Sequence, residues 1–129
     1  MLRIRRDTIE HLRNESDHRL IGRIARHLRQ AHPDQVKDCP EDILLSRIRY
    51  ALSRGRSYGF KLDYSLMTFV SLMFTVAPDF DREPAIQEIL SDERIPETYR
   101  FDVLVEQTSE EHWASAVRNT NPQAWDIES

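Results

Sequence analysis

His11, Glu15 and His18 have the spacing of a metal site on the first predicted helix. Positions i, i+4 and i+7 lie on one helical face, and imidazole and carboxylate groups are ligands that zinc accepts. This face lies opposite the apolar stripe of the same helix, however, and no Cys or further His can be placed beside it. We therefore interpret these side chains as a solvated polar surface and predict no metal site.

An acidic run in the second half of the chain imitates the start of a calcium loop. Asp79, Asp81 and Glu83 alternate as the first ligands of such a loop do. The sixth position is Pro84 rather than the required glycine, and the twelfth is Leu90 rather than a bidentate glutamate. The carboxylates could instead serve hydrolysis as an acidic pair, but no opposing carboxylate is recognisable. Capping and loop hydrogen bonds are the favoured interpretation.

Nucleophilic and nucleotide chemistry have little support in the sequence. Cys39 is the only cysteine of the chain, so no internal disulfide can form, and no His or basic residue adjoins it as an activating base. The three glycines are too scattered for a phosphate-binding loop or a dinucleotide fingerprint. We predict no enzyme and no cofactor.

The elements that must position these residues are predicted to be helices. Apolar residues recur at helical spacing from Asp7 to about Ala31, and Pro33 ends this first helix. A second helix begins at Cys39–Asp42, where proline suits the first helical position. It ends near Gly59, which can take the left-handed conformation after a helix.

The helix predicted over 63–77 differs from the others because it has almost no polar face. Asp63 is its predicted N-cap, and Pro78 stops it. A helix that is apolar all round has to be covered by its neighbours, so we place it at the centre of the core. Its apolar side chains are Leu66, Met67, Phe69, Val70, Leu72, Met73, Phe74 and Val76.

Three shorter helices are predicted to follow. Pro84 and Pro96 can each open a helix. Thr108 and Glu111 match the capping-box pattern and introduce the last helix. We therefore predict an all-α, single-domain orthogonal bundle of five or six helices. Residues 1–118 would form the domain, and 119–129 would form a C-terminal tail.

Composition agrees with a folded chain that has no membrane partner. Of its 129 residues, 40% are hydrophobic and 31% are charged, which excludes the collagen-like and strongly disordered classes. The basic N-terminus is not followed by the apolar region of a secretory signal. The longest apolar stretch, around 66–77, is too short to span a bilayer. We expect a cytoplasmic protein.

Charge is divided unevenly along the chain. Residues 1–61 carry 14 Lys and Arg against 8 Asp and Glu, whereas residues 62–129 carry 4 against 14. A half with an excess of +6 therefore precedes a half with an excess of −10. Such a split indicates either that the halves attract each other or that each presents a field of one sign to a partner. Both interpretations favour binding over catalysis.

The arginines of the basic half raise the question of nucleic-acid binding. One exposed stripe of them could contact phosphates. Against this, the pI is about 5.7, lysines are nearly absent, and no helix-turn-helix or aromatic stacking motif is present. Arginine also binds carboxylates through two parallel hydrogen bonds. Pairing with the acidic half, or with an acidic protein partner, is the favoured interpretation.

A segment of the chain resembles a known group of bacterial proteins. From Arg26 to Leu90 it reads HLRQAHPDQ, SRGRSYGF, LDYSLMTFVSLMFTVAPDFD and PAIQEIL, in that order. This resembles small helical proteins of unassigned activity encoded among the accessory and cargo genes of type VI secretion and related toxin systems. The resemblance implies a cytoplasmic protein-binding role, such as holding an effector before loading or masking a toxin. It implies no site residues.

The sequence thus predicts a nonenzymatic adaptor or chaperone-like protein for a secreted effector or its delivery component. An immunity protein that neutralises a cognate toxin is the first alternative, and a nucleic-acid-binding module is the second. Self-association stays open. The partner surface would combine charged residues of one sign with aromatic anchors. The predicted contact residues are Arg19, Arg23, Arg26, Arg54, Arg56, Asp79, Asp81, Glu83, Trp113 and Trp125.

Overall fold

The computed structural model describes residues 6–121 and 123–126, with side chains described for 16–121 and 123–125. This part of the chain is all-helical, which confirms the predicted fold class. Two short 3-10 turns, Phe80–Arg82 and Ala124–Asp126, accompany the α-helices. The helices are α1 Arg6–Ala31, α2 Pro33–Val36, α3 Glu41–Ser57, α4 Asp63–Thr75, α5 Pro84–Leu90, α6 Glu97–Gln107 and α7 Glu110–Arg118.

Helix α4 lies at the centre of the core, as its apolar sequence predicts. It packs against α1, α2, α3 and α6. Gly55 of α3 allows the closest of these approaches, because a Cβ there would lie 3.2 Å from side-chain atoms of both Leu66 and Phe69. Phe69 also contacts the rings of Phe60 and Phe80, with centroids 6.1 and 5.3 Å away. A ring cluster thus joins α4 to the segments on either side of it.

The start of α4 differs from the prediction. Leu62 stands at the N-cap and Asp63 is the first helical residue, without a capping hydrogen bond from its side chain. The carboxylate of Glu97 accepts from the backbone N–H groups of Lys61 and Leu62, at 2.9 and 2.7 Å. Asp63 instead lies 3.2 Å from the guanidinium of Arg23. Glu97 of α6 therefore holds the backbone just before α4, and no side chain caps the first turn of the helix.

The capping box of α7 is formed one residue later than predicted. Ser109 accepts from the N–H of His112, and Nδ1 of His112 accepts from the N–H of Ser109 at 3.0 Å. Thr108 has a different role, because its hydroxyl accepts a 2.9 Å hydrogen bond from Nε1 of Trp113. Glu111 is consequently left to pair with Arg118 on the surface.

Arg100 of α6 is buried and holds three separate backbone positions. Its guanidinium donates to the carbonyls of Tyr58 at 2.9 Å, Leu90 at 3.3 Å and Ile95 at 3.0 Å. It also lies 5.1 Å from the ring centroid of Phe60, within the range of a cation–π contact. Arg100 therefore fastens α6 to the carboxyl ends of α3 and α5.

The turn after α3 follows the local signal in the sequence. Gly59 has φ +91°, the only positive φ among the described residues, and its N–H bonds to the carbonyl of Arg56 at 2.9 Å.

No helix in the described part of the chain is long and apolar enough to cross a bilayer.

Candidate functional site

The outward face of α3 is the backbone of the candidate site. Arg49, Ser53 and Arg56 are spaced i, i+4 and i+7 and are exposed. The opposite face is buried, with Ile48 and Leu52 at 0% and 1% exposure. The apolar stripe of α3 thus fixes which side its arginines present to solvent, and a cavity lies on each side of this polar ridge.

The α1–α3 groove is the larger of the two cavities, with a volume of about 980 Å³. It runs between α1 and α3 and reaches the turn at Gly59 and Lys61. Arg56 on its rim forms a bidentate pair with Asp17 of α1, at 2.7 and 3.1 Å. Arg49 and Lys61 also line it, and neither has an ion-pair partner among the described side chains. Asp63 lines the groove as well and pairs with Arg23, so the lining has three cations, Arg49, Arg56 and Lys61, against two carboxylates.

The Arg54 pocket lies on the other side of α3 and has a volume of about 570 Å³. Arg49 and Ser53 line both cavities and so form the wall between them. No Asp or Glu lines the Arg54 pocket, and Arg82 has no carboxylate partner within the described part of the chain. The lining residues are Arg49, Tyr50, Ser53, Arg54, Ser57 and Arg82.

A buried carboxylate fixes Arg54 from behind. Asp81 has no exposed surface, and its Oδ2 accepts from Nε of Arg54 at 2.7 Å and from the hydroxyl of Tyr58 at 2.6 Å. Nη1 of Arg54 donates to the hydroxyl of Tyr50 at 2.9 Å. Burial opposes the charged form of Arg54, but its hydrogen bond and attraction to Asp81 outweigh this and raise its pKa. The guanidinium is therefore charged and held in one orientation.

Tyr58 takes part in the same network. Burial, followed by its hydrogen bond to Asp81, raises the pKa of Tyr58 to about 12. The phenol is therefore neutral at physiological pH and donates its proton to Asp81. The network joins α3 to the 3-10 turn at Phe80–Arg82, and the backbone of this turn carries Arg82 to the pocket. The ion pair between Arg54 and Asp81, the residue before Arg82, therefore positions Arg82.

The predicted acidic face at 79–83 is mostly turned inward. Asp79 is 8% exposed and accepts from the hydroxyl of Thr120 and the N–H of Asn121. Asp81 has no accessible surface, as described above. Glu83 caps α5 by accepting from the N–H groups of Ala85 and Ile86. This outcome agrees with the capping and loop interpretation made from the sequence, and it leaves little carboxylate surface at this loop.

The predicted arginines divide into two groups. Arg54 and Arg56 line the cavities beside α3, where they pair with Asp81 and Asp17. The predicted arginines of α1, Arg19, Arg23 and Arg26, are exposed, and among them Arg23 is paired with Asp63. Arg19 and Arg26 line neither cavity and have no ion-pair partner among the described side chains. They therefore provide control positions for tests of the cavities.

Both predicted tryptophan anchors are built into the fold. Trp113 is half-buried and stacks on Phe80, with an interplanar angle of 15°. Trp125 is half-buried against Phe74, with ring centroids 4.9 Å apart, and Arg47 lies 5.5 Å from its ring. The tail therefore folds back on the helices at Trp125.

The remaining candidates for chemistry are not brought together. His18 is exposed and lines the α1–α3 groove, whereas the side chains of His11 and Glu15 lie outside the described residues. Cys39 is half-buried, with its Sγ 4.0 Å from Nη1 of Arg47. Across the described side chains, no group of three His, Cys, Asp or Glu is placed to hold a metal ion.

The contact residues predicted from the sequence do not include Arg49, Lys61 or Arg82. The spacing of Arg49, Ser53 and Arg56 on one face of α3 was a sufficient signal for the first of these. No sequence pattern indicates Arg82, which stands in an acidic segment and reaches the pocket through tertiary contacts.

Comparisons with known proteins reveal no relative. No protein-family model, no curated protein and no solved structure matches the chain. The resemblance to type VI accessory proteins accordingly stays a prediction, and function has to be inferred from the surface of the chain.

Proposed function

We propose that the chain is a nonenzymatic protein-binding module, an adaptor or chaperone-like accessory protein, that docks an acidic segment of a partner in the α1–α3 groove. One observation carries this proposal. Arg49 and Lys61 line a groove of about 980 Å³ and have no carboxylate partner among the described side chains. Carboxylates from a second protein would supply the missing countercharges.

The composition of the groove favours a protein segment over a small apolar ligand. Its floor includes Leu20, Ile21 and Phe60, each no more than 4% exposed. The accessible surface therefore comes mainly from charged and polar groups on the rim. Charge complementarity at such a surface increases the rate of association and selects among partners.

Internal ion pairs argue against nucleic acid as the ligand. Arg23, Arg54 and Arg56 are each paired with a carboxylate, at 3.2, 2.7 and 2.7 Å. These pairs neutralise a large part of the arginine charge on α1 and α3, and the formal net charge of the chain is −4. Nucleic-acid binding depends on many simultaneous phosphate contacts, and these internal pairs reduce the number of arginines that are free to make them.

The partner that we propose is a secreted effector or a component of its delivery, in line with the resemblance noted in the sequence. The test is copurification of the tagged chain with the products of adjacent genes, followed by titration calorimetry at low and moderate salt. The double variant Arg49→Glu with Lys61→Glu should weaken the complex at least ~10-fold, because like charges at an interface repel.

A matched control separates docking from a general effect of charge. Arg19→Glu with Arg26→Glu changes the net charge by the same amount outside the groove, and it should leave the affinity within ~2-fold. Equal weakening by both variants, or no stable complex at either salt concentration, would contradict the proposal. Rescue of cells from a neighbouring toxin would assign an immunity role instead, and a salt-sensitive shift of DNA or RNA would assign nucleic-acid binding.

A further inference from the structure

We infer that the Arg54 pocket is a binding site for a phosphate group, either free phosphate or the monoester of a small molecule. This inference concerns a different cavity from the α1–α3 groove, and its test uses Arg82, which lines the pocket alone. The two cavities share Arg49 and Ser53, but Arg54, Arg82 and Ser57 line the pocket alone.

The pocket is lined by positively charged residues and no negatively charged ones. Three arginines line it, Arg49, Arg54 and Arg82, and no Asp or Glu does. Asp81 lies behind Arg54 and compensates one of these charges. The other two have no countercharge among the described side chains. The pocket therefore has an excess of two positive charges, which matches an oxyanion of charge up to −2.

Arg54 is held in place before any ligand arrives. Its side chain is 13% exposed, and Asp81 and Tyr50 occupy its Nε–H and one N–H of Nη1. A guanidinium has five N–H donors in a rigid plane, so the others are available, and none has a partner within the described residues. A donor that is already oriented loses little entropy when it binds.

Neutral donors complete the lining. Ser53 is exposed, and its hydroxyl has no hydrogen-bond partner among the described residues, so it can donate to an anion. Ser57 is already engaged, because its hydroxyl donates to the carbonyl of Arg54. The hydroxyl of Tyr50 accepts from Arg54, and its own proton remains to be donated.

The ligand class follows from these donors. Guanidinium groups recognise carboxylate and phosphate through paired hydrogen bonds, but a planar carboxylate has a single charge and two oxygens. A tetrahedral phosphate presents three or four oxygens in different directions, which suits donors placed around a cavity. The volume of about 570 Å³ exceeds the need of one phosphate group, and it falls within the range of small-molecule sites. An organic group attached to the phosphate can therefore be accommodated.

The test is an NMR titration of the isotope-labelled protein at constant ionic strength. Inorganic phosphate, O-phosphoserine and acetate are added separately, and the backbone signals of α3 and of Phe80–Arg82 are followed. We expect saturable shifts with phosphate, and acetate should bind at least ~10-fold more weakly because it has half the charge and fewer oxygens. Binding of O-phosphoserine as well as phosphate would assign a monoester site, and phosphate alone would assign a site for the free ion.

Single variants tie the shifts to the pocket. Arg82→Gln should weaken phosphate binding ~10-fold, since a charge-assisted hydrogen bond is lost. The matched control Arg26→Gln removes one exposed charge elsewhere and should change affinity less than ~2-fold. Ser53→Ala provides a second pocket variant with no charge change, and it should weaken binding by a smaller factor. The inference is overturned if phosphate causes no saturable shift, if acetate binds equally well, or if Arg82→Gln and Arg26→Gln have the same effect.

Discussion

Replacing Asp81 by Asn tests whether the buried ion pair holds the 3-10 turn against α3. Asn has the same shape, and its carbonyl oxygen can still accept from Arg54 and Tyr58, which both bond to Oδ2 in the native chain. The substitution therefore removes the charge and keeps an acceptor for both donors. It also places the NH2 group of the amide at the position of Oδ1, which is buried and has no hydrogen-bond partner among the described residues.

The expected loss follows from the burial of the two partners. Breaking a buried ion pair by removing one partner costs about 3–5 kcal/mol. The side chain of Arg54 keeps 13% exposure, so water can solvate part of the released charge, and we expect about 3 kcal/mol. With an unfolding entropy of about 2.1 cal/mol/K per residue, a chain of 129 residues would lose about 11 °C in Tm.

The measurement is urea unfolding at neutral pH, followed by circular dichroism and tryptophan fluorescence. Glu111→Gln is the control, because its pair with Arg118 is exposed and such pairs contribute less than about 1 kcal/mol. A second comparison repeats Asp81→Asn in an Arg54→Met background, where it should cost about 1 kcal/mol because no buried cation is left unpaired. The reasoning fails if Asp81→Asn costs no more than Glu111→Gln, or if its cost is the same in both backgrounds.

Two further predictions concern Tyr58 and the glycines. The folded chain raises the pKa of Tyr58 from 10.0 to about 12, so its stabilising contribution is complete below pH 10 and is lost as the pH rises from 10 to 12. This decline amounts to about 1–2 kcal/mol after discounting for the partial exposure of the ring. The free energy of unfolding of Tyr58→Phe, measured in urea across this range, should lack it. If the free energies of both proteins fall in parallel as the pH rises, the assignment is refuted. Gly59→Ala should destabilise the chain by about 1 kcal/mol, because alanine would have to adopt a positive φ there. Gly22→Ala should instead stabilise the chain by about 1 kcal/mol, because this position is helical and has free space for the new methyl group. Urea midpoints that move in the same direction for both substitutions would contradict this account.

Local signals in the sequence were sufficient for most of the fold. Pro84 at the start of α5 acts through its fixed φ, and Gly59 after α3 acts through its freedom to take a positive φ; the structure uses both as predicted. The N-cap at Asp63 and the box at Thr108 were wrong for a common reason. Asp63 pairs with Arg23, and the hydroxyl of Thr108 accepts from Trp113, so each side chain is engaged by a residue outside its predicted capping pattern. A capping pattern indicates which hydrogen bonds a segment can form by itself, and contacts with other side chains determine whether these bonds form in the folded chain.

The candidate site was less accessible to sequence reasoning. Helical periodicity places Arg49 beside Ser53 and Arg56, and this much can be read from spacing. The Arg54 pocket also needs Arg82, which comes from a segment whose neighbours are acidic. Its position depends on Asp81 turning inward to meet Arg54, 27 residues earlier in the chain. Such a pairing has no periodicity to reveal it.

Arg100 has a consequence for anyone who engineers this chain. Its guanidinium supplies hydrogen bonds to three carbonyls that belong to separate segments, at Tyr58, Leu90 and Ile95. A minimal version that stops before α6 would keep every residue that lines the α1–α3 groove and the Arg54 pocket and yet leave those three acceptors without their donor. Libraries built to alter ligand preference should therefore retain α6 and keep position 100 fixed, while the outer face of α3 is free to vary.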